Sequence, residues 1–144
     1  MNREILFKAK AINRDESYYR TNYKNGDWVY GLITRLYDER FENLPAEMTN
    51  ENGVGRIEID HNTICSHIGL PDKNKTKIFE NDIVRDVDEG MTMVVRWDEE
   101  RLKFVLDDYS SDGVLMDTYG FRDFLNRDLE IIGNVFDNPE LIGK

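Results

Sequence analysis

Glycine-marked turns recur between short apolar runs along the whole chain: Asn25-Gly26, Asn52-Gly53, Glu89-Gly90 and Asp112-Gly113. Asn-Gly and Asp-Gly pairs reach left-handed backbone conformations at little cost, so they close hairpins and interrupt helices. The runs between them alternate apolar and polar residues, as half-buried strands do. Ile5 and Phe7 share a face in residues 5–11; Trp28, Tyr30 and Leu32 share one in residues 27–37; Ile57 and Ile59 share one in residues 54–60. Residues 40–53, broken by Pro45, read as a loop. Residues 83–87, 91–97 and 102–106, separated by turns at residues 88–90 and 98–101, form a predicted three-stranded meander. Residues 129–136 supply a last strand before Pro139. The spacing predicts one short helix near 117–126, capped by Asp117 or Thr118, with Phe121, Phe124 and Leu125 on one face and Gly120 weakening its first turn. The resulting fold class is mainly β: two small antiparallel β subdomains, 1–77 and 78–144, forming one compact unit rather than two independent domains.

Composition narrows the functions open to such a fold. With 144 residues, 40% of them hydrophobic and 11% aromatic, the chain has enough apolar surface to build a core. Its 29 acidic and 19 basic residues leave a net charge of −10, which argues against direct nucleic-acid binding through the phosphate backbone. A single cysteine, Cys65, excludes an intrachain disulfide and a multi-cysteine zinc site. The first apolar run, Ile5-Leu6-Phe7, is too short for a secretory signal. No run approaches the roughly 18–20 apolar residues of a membrane helix, and Leu141-Ile142-Gly143-Lys144 carries no lipidation signal. The expectation is a cytoplasmic protein without a membrane partner.

One segment is more specific. Gly69-Leu70-Pro71-Asp72-Lys73-Asn74-Lys75-Thr76-Lys77-Ile78-Phe79-Glu80-Asn81-Asp82-Ile83-Val84 resembles the signature of the YopX family, small proteins of phages and prophages. Three further segments resemble that family in order: residues 3–10, residues 25–31 around Trp28-Val29-Tyr30, and residues 131–141, with Gly133 in Ile132-Gly133-Asn134. The resemblance covers nearly the whole chain but brings no catalytic or binding residues with it. Three departures stand out: a longer stretch at residues 13–24, Asn81 in place of a glycine, and Lys75 in place of another. Within the signature, Ile78 and Phe79 can plug a core while Asp82 satisfies turn amides. Gly133 lets the last strand bend or approach a neighbour closely. The succession Asp-Ile-Val, turn, Val-Val-Arg-Trp, turn, Phe-Val-Leu resembles an SH3-like barrel in the C-terminal subdomain.

Several constellations bear on chemistry. His61, Cys65 and His67 make a three-ligand set on paper, yet the resemblance gives other residue types at Cys65 and His67. Asp86, Asp88, Glu89 and Gly90 miss the calcium-loop pattern: counted from Asp86, the fifth residue is Gly90 and the twelfth is Trp97. Asp98, Glu99 and Glu100 are consecutive in a turn, where water holds carboxylates near ordinary behaviour. Trp28, Tyr30 and Trp97 suit a stacking platform only if cations flank them, and acids follow Trp97 directly. No catalytic, cofactor-binding or metal-binding residue is assigned and no cofactor is expected. Tyr18, Tyr19 and Tyr23, in a polar stretch, are the candidate protein-interface residues.

The expected function is therefore that of a non-catalytic, phage-encoded accessory protein that binds a protein partner or self-associates into a homo-oligomer. The alternatives are an acidic decoy for a DNA-binding protein and an uncharacterised enzyme. Charge divides unevenly: residues 1–77 hold 12 basic and 12 acidic residues, residues 78–144 hold 7 and 17. The C-terminal part should favour basic partners, and the neutral N-terminal part is the expected place for self-association.

Overall fold

The computed structural model describes residues 4–13, 23–37, 40, 45–53, 55–124 and 127–144. It is mainly β, with two antiparallel sheets and, among the described residues, only short 3-10 turns in place of helices. The chain divides into two compact units, Met1–His67 and Ile68–Lys144.

In the first unit, β1 (Phe7–Lys10), β2 (Trp28–Arg35), β3 (Ala46–Asn50), β4 (Ile57–Ile59) and the start of β5 (Cys65–Pro71) stand in the order β4-β3-β2-β1-β5. Alternation explains the core: Ala9 opposes Val29, Met48 opposes Ile57, and all four are buried. The sheet curls. Just beyond β1, Ala11 bridges Ile59, the Ile12 amide donates to the Glu58 carbonyl at 2.9 Å, and the Asp60 amide donates to the Lys10 carbonyl at 2.9 Å. Small residues permit the curl. A β-carbon on Gly31 would lie 1.8 Å from the Thr49 carbonyl oxygen, so only glycine lets β2 and β3 approach there. Strand β3 occupies part of the stretch read as a loop, because Met48 and Ala46 bury even though the residues around them are polar.

The second unit contains β6 (Lys77–Phe79), β7 (Asp82–Asp86), β8 (Thr92–Asp98), β9 (Lys103–Tyr109), β10 (Leu115–Gly120) and β11 (Leu129–Asn134). Five of these form a sheet in the order β10-β9-β8-β7-β11. The predicted meander is β7-β8-β9. Its runs Ile83-Val84, Met93-Val94-Val95 and Val105-Leu106 are apolar on consecutive residues because both faces are covered. Val84, Met93, Val95 and Leu106 pack with Ile78, Phe124 and Leu129 on one face, and Ile83 and Val94 pack with Ile142 on the other.

Two finer expectations are corrected. The C-terminal sheet is not a closed barrel. Strand β11 returns beside β7, and its outer side is met by a turn, with the Lys73 amide donating to the Leu129 carbonyl (2.8 Å) and the Ile131 amide to Asp72 Oδ2 (3.1 Å). Among the described residues, nothing pairs with the outer side of β10. The helix near 117–126 is likewise replaced. Residues 115–120 are strand β10, paired to β9, and among the described residues of that span only Phe121–Phe124 turns, as a 3-10 segment; residues 125 and 126 lie outside the described residues. Cross-strand partners outweigh the local capping signal, although Phe121 and Phe124 do point into the same core. Residues 68–77 fold with the second unit, because Asp72 and Lys73 are bonded to β11 and Lys73 pairs with Glu130 at 3.7 Å.

Candidate interaction surface

The signature residues are structural in their surroundings. Ile78 and Phe79 are buried, and Asp82, also buried, accepts the Phe79 amide at 2.8 Å. Asn81 and Lys75, which stand where the resemblance expects glycine, are both left-handed (φ 69° and 64°). At Gly133 a bulge interrupts the β11–β7 pairing, and a β-carbon there would sit 2.5 Å from Asn138 Oδ1.

The metal-like set is spread over different roles. His61 stacks flat on Tyr37, ring centroids 4.1 Å apart. Cys65 is buried, with its thiol 3.2 Å from the Thr63 carbonyl, and His67 is buried on β5. Among the described residues, no three His, Cys, Asp or Glu side chains gather to hold a metal ion.

The acidic turns serve the backbone. Asp98 accepts the Glu100 and Arg101 amides. Asp86 accepts the Asp88 and Glu89 amides and a 2.8 Å bond from Arg127. Burial pushes the Asp86 carboxyl up, but the Arg127 bond, those amides and the Arg127 charge together bring it below the usual carboxylate value.

The aromatic candidates separate between the units. In the first, Trp28 is half-buried beneath Lys8 and Lys10, whose ammonium groups lie 4.6 and 5.4 Å from a ring centroid, while Tyr30 is exposed. In the second, Trp97 meets Phe104 edge-on at 5.0 Å. Tyr23 packs, half-buried, against the first core, and Tyr18 and Tyr19 lie outside the described residues.

The most exposed apolar run is one that sequence reasoning passed over. Val114, Leu115 and Met116, at 57%, 49% and 63% exposure, follow the Asp112-Gly113 turn and enter the open edge strand β10. Three consecutive exposed apolar residues are an anomaly in a monomer's surface unless something docks there. The available signal was the absence of alternation after an Asp-Gly turn in an acidic half.

Beside this run, Asp117 stands directly opposite Asp108 across β9 and β10. Burial first, then the Asp117 charge, raises the Asp108 carboxyl. Burial, the Asp117 charge and a bond to Asp117 raise the Tyr119 phenol in the same way. Among the described residues, no cation pairs with Asp108 or Asp117. On Thr118 the amide is exposed and donates to the Asp117 carboxylate at 2.8 Å, while the hydroxyl donates to Asp107 at 2.7 Å. Asp107 is held in turn by Arg96.

No curated protein matches the chain. The YopX protein family model matches residues 7–143, nearly the full length and including both sheets. The chain therefore belongs to the YopX family.

Proposed function

We propose that this chain is a phage or prophage accessory protein of the host cytoplasm that acts by binding another protein and carries out no catalysis. The observation behind this reading is the Val114-Leu115-Met116 run at an open strand edge, within the unit that carries the chain's acidic excess. Sheet edges and exposed apolar residues are the two features by which β proteins recruit partners. No helix among the described residues is long and apolar enough to cross a membrane.

The decoy reading draws less support. A phosphate mimic needs its carboxylates offered to a partner, whereas Asp82, Asp86, Asp98 and Asp107 are buried and spent on bonds within the unit.

Photo-crosslinking in host cells tests the proposal. A photoreactive residue at position 115 should trap one protein reproducibly, where the same group at exposed Glu99 should not. The purified pair should then lose at least tenfold in affinity with Val114, Leu115 and Met116 changed to serine. Identical crosslinks from both positions, or an unchanged affinity, would refute it.

A further inference from the structure

We propose that the β10 edge accepts an extended basic segment of its partner as an added strand, and that Asp117 gates this edge by charge. This rests on the protein-binding reading and names the class of partner. Strand addition needs exposed amides and carbonyls on the outer side of an edge strand. On β10 the Thr118 amide is exposed but occupied by the Asp117 carboxylate. A register shift between Leu115 and Asp117 further disturbs this edge. Charges and bulges at edges are how native sheets refuse indiscriminate pairing.

The guard here is conditional. A neutral or acidic strand cannot take the Asp117 carboxylate away from the Thr118 amide. A lysine or arginine can, because a charge-assisted bond is stronger than a carboxylate's bond to a neutral amide. Once the carboxylate turns to that cation, the amide is released to pair with the incoming backbone. Asp108 adds to the selectivity: two opposed carboxylates without a counter-ion are destabilising across strands, and a cation lodged between them relieves the repulsion. The apolar run beside them supplies burial that charge alone does not. A second copy of this chain is the wrong occupant. Residues 68–144 hold 18 acidic and 10 basic residues, so two such edges repel.

Fluorescence anisotropy on the full chain tests this with a labelled eight-residue peptide alternating valine and lysine. Its controls are the same peptide with glutamate for lysine, and with alternate backbone amides methylated. The lysine peptide should bind, both controls should bind at least tenfold more weakly, and Met116→Ser should lower affinity about tenfold. Asp117→Asn should weaken the lysine peptide while narrowing its advantage over the glutamate peptide, with thermal melting confirming that the variants fold. Equal binding of the two charged peptides overturns the proposal, as does indifference to amide methylation or to Asp117→Asn. Concentration-dependent dimerisation abolished by Met116→Ser also overturns it, since the occupant would then be a second copy. If position 115 crosslinks a partner but the lysine peptide does not bind, the protein-binding reading stands and this inference fails.

Discussion

Asp86, with 0% of its surface exposed, accepts a 2.8 Å bond from Arg127, a residue 41 positions later and 40% exposed. The pair ties the end of β7 to the segment that leads into β11. Asp86→Ala removes this bond and strands the Asp88 and Glu89 amides, and should cost about 3 kcal/mol in urea unfolding. Arg127→Ala leaves a buried carboxylate and should lower the melting temperature as well. The folded carboxyl lies below its unfolded value of about 3.9. Its stabilisation is therefore present above that pH and fades as the pH falls through the folded value. The stability gap between the native chain and Asp86→Asn should narrow below about pH 4; a constant gap down to pH 2 would contradict the assignment.

Asp108→Asn should move stability the other way. Burial and Asp117 raise the Asp108 carboxyl, so its ionised form is disfavoured in the fold and acidification relieves the penalty. At neutral pH the substitution should stabilise by about 0.5 kcal/mol, the scale of a like-charge cross-strand pair. The gain should shrink as the pH falls and Asp108 takes up its proton. Equilibrium unfolding at pH 7 and pH 4 measures both.

Gly31→Ala tests the curl of the first sheet. The new methyl would be driven against the Thr49 carbonyl, on a strand pair that cannot separate without losing its ladder. A loss of about 3 kcal/mol is expected, at the upper end of overpacking costs. A neutral result would mean that β2 and β3 part more easily than their register implies.

Lys75→Gly should stabilise slightly. A left-handed lysine at φ 64° carries about 1–2 kcal/mol of strain. Glycine removes it but adds about 0.4–1 kcal/mol of unfolded-chain entropy. The net gain, about 0.5 kcal/mol, is readable as a small rise in melting temperature.

How far the fold was legible in the sequence follows from which forces act locally. Asn25-Gly26 and Asp112-Gly113 announced turns because turn geometry depends on the turn residues themselves. The meander over β7, β8 and β9 was readable for the same reason. Residues 115–120 misled because Asp117-Thr118 imitates a helix cap, and Phe121 and Phe124 have helical spacing. What decided them was pairing with Asp107 and Asp108, a contact invisible to local propensity. Strand β3 hid among polar neighbours since only Ala46 and Met48 need to face its core. The candidate surface was the least legible part. Val114, Leu115 and Met116 fell between a turn and an expected helix without an assignment of their own, and only the sheet order put β10 at an edge.

Amide exchange followed by NMR on the isotope-labelled chain, with and without the lysine peptide, shows whether a strand is added at β10. The Met116 and Thr118 amides of β10 should become protected on binding, and Asp117→Asn should accelerate Thr118 exchange in the free protein by removing the carboxylate that now holds it. Protection appearing elsewhere, with β10 exchanging as fast as before, would contradict strand addition there.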